Sequence, residues 1–233
     1  MNRIPINSGQ AFIELTGWID DPEILEAIRE LTAAQQDAAG RRVTSVDAET
    51  ARAMVDEPAL DRILNNGTDI HGIATNREIS NVISFNSSTD PGSVQSGAVR
   101  SLRILVDDWV SRRLLETFEA PYPLEVSRSG HFWYPQGGYM GWHTNSGAPG
   151  WRIYITHAMK AGKSFFRYRD PGTGQVITSM DDEWNVRVFR IDPVVPLWHA
   201  VYSDTDRFSL GYIVRRRRWY KPVTRKIMRM LGR

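Results

Sequence analysis

Hydrophobic and polar positions follow two different periods along this chain, and the change falls near residue 120. From Pro22 onward Ile24, Leu25, Ile28 and Leu31 recur at helical spacing. Asp20 or Asp21 can cap that helix, Pro22 suits its first turn, and Gly40 is a natural stop. A second helix is predicted over 47–64 with a break before Pro58, ended by Asn65, Asn66 and Gly67. Over 94–118 Leu102, Leu105, Val106, Trp109, Val110 and Leu114 form one apolar stripe, while Asp108, Arg112 and Glu116 fall off it. That pattern predicts a helix lying against a sheet. Between these segments, 11–19 reads as an edge strand or loop, 79–85 as a strand and 86–92 as a loop.

Beyond Pro121 the period shortens to that of strands. Candidates are 124–126, 130–134, 139–143, 151–157, 164–168, 185–191, 197–201 and 208–214, with 170–174 as a tight hairpin. So many short strands in about ninety residues imply a sandwich, jelly roll or barrel. The expected architecture is mainly β with N-terminal helices packed outside. We expect a single domain over 1–214, with helical support in 1–120 and the rolled sheet in 121–214, followed by a basic tail over 215–233.

Composition narrows the chemistry. Hydrophobic residues make up 41% of the chain and include eight Trp, enough for a sizeable core. There is no cysteine, which excludes disulfides and thiolate metal sites. No apolar run approaches a membrane span and the N-terminus does not read as a signal peptide, so a soluble cytoplasmic protein is expected. The net charge of +2 is unevenly spread. Nine of the 29 basic residues lie from Arg215 onward with no acid among them, leaving 20 against all 27 acidic residues, or −7, in the rest. That tail can contact an anionic partner such as nucleic acid or a lipid surface, and Val223, Ile227, Met230 and Leu231 give it amphipathic spacing.

The candidate chemistry centres on residues 134–145. His143 and Asn145 sit two apart, so on an extended strand both side chains leave one face. His199 lies 56 residues further on, followed by Arg207 and Ser209. Two imidazoles and an oxygen-bearing side chain with an arginine nearby suit non-haem Fe(II) and an acidic co-substrate. The ordered set Tyr134, Gly137, His143-x-Asn145, Arg152, 161–166, His199 and Arg207-x-Ser209 resembles the Fe(II)- and 2-oxoglutarate-dependent dioxygenases, nearest in spacing to the prolyl 4-hydroxylase-like group. The resemblance spans about residues 130–214.

It implies a double-stranded β-helix, a jelly roll of the cupin kind. It also implies Fe(II) held by His143, His199 and Asn145, and 2-oxoglutarate held by Arg207, Ser209 and Tyr134. The implied activity is hydroxylation of a substrate with formation of succinate and carbon dioxide. Asn145 stands where that family's pattern has Asp. The iron would then be held by two imidazoles and the amide oxygen, or by two imidazoles and water, or the site would be metal-poor. The last case would make the chain a catalytically impaired jelly-roll binding protein whose basic tail contacts nucleic acid or a protein. His157, Asp182, Glu183 and Asp204 are the other potential ligands. His71, His131 and His157 are expected to be structural or surface residues, and Trp142, Trp151 and Trp198 to fill the jelly-roll core. The loops over 146–150 and 178–183, with the helical half, are expected to shape a substrate pocket. The substrate itself, whether small molecule, peptide or nucleobase, is not spelled out.

Overall fold

The structure, a computed structural model, describes residues 3–39, 47–65, 79–86, 97–145 and 147–217. Its first half contains β1 (Ile4–Pro5), β2 (Phe12–Glu14), α1 (Pro22–Ala39), α2 (Ala48–Ala53), α3 (Glu57–Asn65), β3 (Ile79–Ser80), β4 (Ile83–Ser84), α4 (Gly97–Thr117) and β5 (Phe118–Glu119). The second half is all strand: β6 (Leu124–Tyr134), β7 (Tyr139–His143), β8 (Gly150–Ala158), β9 (Ser164–Arg169), β10 (Val176–Met180), β11 (Trp184–Ile191), β12 (His199–Ser203) and β13 (Arg207–Arg216).

Local chemistry explains the helix starts. The Asp21 carboxylate accepts the backbone N–H of Glu23 at 3.0 Å, capping α1. Asp47 accepts from Thr50 at 2.9 Å and starts α2. A fresh cap at Asp56, which accepts the N–H of Ala59 at 2.8 Å, restarts the chain as α3, so the break expected before Pro58 is real. The proposed stop at Gly40, His71, the loop over 87–92 and the tail from residue 218 lie outside the described residues.

Eight strands wind into a jelly roll, the double-stranded β-helix. A six-stranded sheet runs β2-β11-β8-β13-β6-β4 and a five-stranded sheet runs β10-β9-β12-β7-β3. Within β6 to β13 the chain crosses repeatedly between the two sheets, and the pairings inside each are antiparallel. Phe132, Tyr134, Met140, Tyr154, Phe166, Phe189 and Val201 fill the space between them. Against the outer face of the larger sheet pack α1 and α4, through Ile24, Ile28, Leu31, Val106, Val110 and Leu114. On the outer face of the smaller sheet Trp142, Trp198 and Tyr202 meet Val55 and Leu60, from and beside α2 and α3. Each such side chain contributes roughly 1.5–3 kcal/mol on full burial. β7 and β12 are covered on both faces, which is why every residue in them is buried.

Several expectations are corrected. The strands expected at 124–126 and 130–134 are one strand, β6, which carries an irregularity opposite Leu210 and Tyr212. There Gly211 has no room for a side chain, since a Cβ would lie 2.5 Å from the Gly130 carbonyl. The segment 79–85 divides into β3 and β4 because Asn81 takes a left-handed conformation, φ 51°. Residues 176–180, read partly as loop, form β10. Trp142, Trp151 and Trp198 pack outside the roll against helices and the N-terminal segment rather than within it. Leu105 is 39% exposed and lies off the α4 stripe. The basic run begins inside β13, where Arg215 pairs with Glu125 at 2.6 Å and Arg216 stacks over Tyr122. Among the described residues no helix is long and apolar enough to cross a membrane.

Candidate functional site

The two strands at the centre of the smaller sheet bring the candidate histidines together. His143 ends β7, His199 begins β12, and they are direct cross-strand partners with ring centroids 4.1 Å apart. Both are buried. Nδ1 of His143 lies 2.8 Å from the carbonyl of Gly141, and Nδ1 of His199 lies 3.0 Å from that of Leu197. A carbonyl only accepts, so each Nδ1 carries the proton and each Nε2 presents a lone pair. That is the tautomer a metal ligand requires, with the second nitrogen anchored by the backbone. Phe166 stacks on His199 at 5.4 Å and Phe189 lies 5.0 Å from it, which fixes that ring in an apolar setting.

Asn145 reaches the same place by a different route from the one its spacing implies. β7 stops at His143, and Asn145 is left-handed, φ 57°, a conformation Asn tolerates better than most residues. Its Nδ2 donates to Nε2 of His199 at 3.1 Å. Rotating that amide by half a turn would put Oδ1 in place of the N–H. Among the described residues no three His, Asp or Glu side chains converge. Glu183 instead pairs with Arg29 at 3.0 Å and Asp204 with Arg52 at 3.3 Å, both at the surface. His157 faces away from the roll, stacked on Trp184 at 4.2 Å, and burial lowers its pKa. His131 is buried against Phe85 and Arg103. These two histidines are not near the pair.

Deeper in the same cavity lies Arg207, directly opposite Tyr134 in the sheet register. Its guanidinium sits 5.2 Å over the Tyr134 ring. Nε donates to Asp181 at 2.8 Å and Nη2 to Thr156 Oγ1 at 3.2 Å, whereas Nη1 is buried with no partner. Ser209 lines the cavity beside it, on the same face of β13. An orphaned N–H on a buried cation fits a carboxylate oxygen, and the paired lone pairs of His143 and His199 fit a divalent metal, so both groups suit the residues present.

Two buried residues of this site carried no signal in the sequence pattern. Asp181 follows β10 and accepts from both Arg207 and Arg187, with a further bond from Ser164. Burial alone would raise its pKa, but the pull of Arg207 and Arg187 outweighs that and holds it below the usual carboxylate range. Arg187 is fully engaged, since it also reaches Ser179 and the Met180 carbonyl. Within 178–183, residues 178–180 thus belong to β10 and Asp181 is buried against Arg207 and Arg187. Arg152 is buried too. It bonds Ser129 and has no acidic partner among the described residues.

No protein-family model and no curated protein matches the chain. Solved structures similar to it include a prolyl hydroxylase from Trichoplax adhaerens in complex with a hypoxia inducible factor oxygen degradation domain peptide. The identity is 11%, over 97% of this chain and 88% of that one, with a TM-score of 0.45. An oxidoreductase of the 2OG-Fe(II) oxygenase family from Burkholderia pseudomallei is 14% identical over 76% of this chain and 94% of that one, TM-score 0.43. The dioxygenase for auxin oxidation 1 from Arabidopsis thaliana, in its 2-oxoglutarate complex, is 11% identical over 91% and 85%, TM-score 0.45. The fold assignment rests on the strand order and register of the two sheets.

Proposed function

We propose that the chain is an Fe(II)- and 2-oxoglutarate-dependent oxygenase that hydroxylates a substrate. The observation that carries this reading is the facing pair His143 and His199, each with Nδ1 tied to a backbone carbonyl, the tautomer in which Nε2 is the ligating nitrogen. Those two nitrogens would hold the metal, with the Asn145 amide oxygen as third ligand after its rotation. Arg207 would take the distal carboxylate of 2-oxoglutarate through Nη1, with Ser209 adding a hydroxyl donor and Tyr134 walling the guanidinium. When bound, Fe(II) and 2-oxoglutarate supply oxygen activation and two electrons, yielding succinate, carbon dioxide and a hydroxylated product. The chain's own part would be to orient both groups and exclude water, with Phe166 and Phe189 packed against His199 and Tyr154 stacked on Phe189.

A second reading has one observation behind it. The Asn145 N–H donates to Nε2 of His199, the same lone pair a metal would take, and in this reading the scaffold serves binding alone. Anaerobic addition of Fe(II) and then 2-oxoglutarate separates the two. The oxygenase should develop a weak visible charge-transfer absorption that His199→Ala abolishes. Absence of the band, together with no Fe(II) binding by calorimetry, would leave the binding protein.

A further inference from the structure

A cavity of about 490 Å³ lies outside the roll, where Gln35 of α1, Phe85, Arg100 and Arg103 of α4, and Arg128 and His131 of β6 meet. It shares no lining residue with the cavity around His143 and His199. Its walls hold two buried polar atoms without partners, Nε2 of His131 and Oε1 of Gln35, in residues only 2% and 4% exposed. The protonation of His131 follows from its neighbour. Arg103 Nη1 lies 2.5 Å from Nδ1, a guanidinium can only donate, and so Nδ1 accepts and Nε2 bears the hydrogen. A buried N–H with nothing to accept it, in a residue that lines a cavity, is costly, and native structures generally satisfy such groups.

Charge points to what would satisfy it. Among the described residues three guanidinium groups line the cavity, and Asp107 pairs with only two of them, Arg103 at 3.1 Å and Arg128. Asp107 also accepts from the Tyr212 hydroxyl at 2.8 Å, so its oxygens are committed. Arg100 has no ion pair among the described residues. A cavity with surplus positive charge, a buried N–H donor and an aromatic wall at Phe85 matches an anion carried on a flat or apolar body.

We propose that this cavity binds a small organic oxyanion, whose oxygens take the Nε2–H of His131 and the Arg100 guanidinium while its apolar part lies against Phe85. A phosphate ester and a carboxylate share this chemistry, and the test tells them apart. The proposal stands independently of the iron reading. Full-length protein is titrated calorimetrically with phenyl phosphate, benzoate and inorganic phosphate, and histidine side-chain ¹H–¹⁵N spectra are recorded alongside. One of the two aryl probes should saturate a single site, more tightly than inorganic phosphate, and should shift the His131 signals while leaving His143 and His199 unmoved. His131→Phe should weaken that probe about tenfold, the loss of one charge-assisted bond. Arg100→Ala, at an exposed position where folding is not at issue, should weaken it about threefold. No saturable heat with either aryl probe overturns the proposal, as does binding that leaves the His131 signals and the Arg100→Ala affinity unchanged.

Discussion

Arg207 and Asp181 are bound to one another inside the roll, Nε to Oδ2 at 2.8 Å, with the carboxylate wholly removed from solvent. The pair is not isolated, because Arg187 grips the other carboxylate oxygen. One buried anion thus serves two buried cations. Asp181 fixes one edge of the Arg207 guanidinium and Thr156 holds Nη2, which leaves Nη1 as the buried nitrogen without a partner.

Asp181→Asn is accordingly expected to be among the most damaging single changes in the chain. Removing one partner of a buried pair costs about 3–5 kcal/mol, because the remaining charge stays buried and uncompensated. Here Arg207 would be left without an acidic partner among the described residues, and Arg187 with only the exposed Glu14 at 3.4 Å. The denaturant midpoint should fall by the corresponding amount, and 2-oxoglutarate should bind more weakly to whatever protein remains folded. The pH dependence has the same origin. The folded pKa of Asp181 lies below the value of 3.8 for a free side chain, so its stabilisation is complete above that value and is lost as pH falls below about 4. An unfolding free energy within about 1 kcal/mol of the parent would show that the pair contributes little.

His131 and His157 give a second pH window with the same sign. Burial lowers both pKa values, and Arg103 and Arg128 depress His131 further, to well below 6.5. For His157 the attraction of Glu183 opposes burial without reversing it. The unfolded chain therefore takes up protons near pH 6.5 that the folded chain refuses, and stability drops as pH falls through that region. Each such histidine contributes at most about 1.4 kcal/mol per pH unit. Urea denaturation between pH 7 and 5 should show this decline, and His131→Phe should flatten it. Equal slopes in the two proteins would mean that His131 titrates normally.

Much of this architecture could be read from the chain, and the failures have identifiable physics. Strand positions in the second half were legible because alternation and turn residues are local signals, and β7 coincides with the expected 139–143. The His143 and His199 pairing was reachable through the ordered motif. Asp181 and Arg187 were not, because a buried ion pair leaves no periodicity and its partners come from different strands. The helical stripe misplaced Leu105, since apolar spacing alone does not say where a neighbouring helix ends its cover. Asn145 is the most instructive case. Its side chain arrives where strand alternation would send it, but through a left-handed residue beyond the strand end.

That geometry makes Asn145→Asp an informative substitution. The amide N–H donates to Nε2 of His199, and an ionised carboxylate has no hydrogen to give. The imidazole and carboxylate would share a proton instead. With Fe(II) present the balance reverses, because a carboxylate adds a negative charge and a stronger oxygen donor to the two imidazoles. Changes merely outside a metal's ligand set shift affinity by about 10 to 100-fold, and a change at a ligand position should do at least as much. Fe(II) titration of both proteins under anaerobic conditions, with Mn(II) as a redox-inert check, should therefore show binding at least about tenfold tighter in the variant. Asp must also hold the left-handed backbone at this position, which it does nearly as readily as Asn, so folding should be preserved. Unchanged metal affinity in a folded variant would place residue 145 outside the coordination sphere and leave His143 and His199 with water as the only remaining ligands.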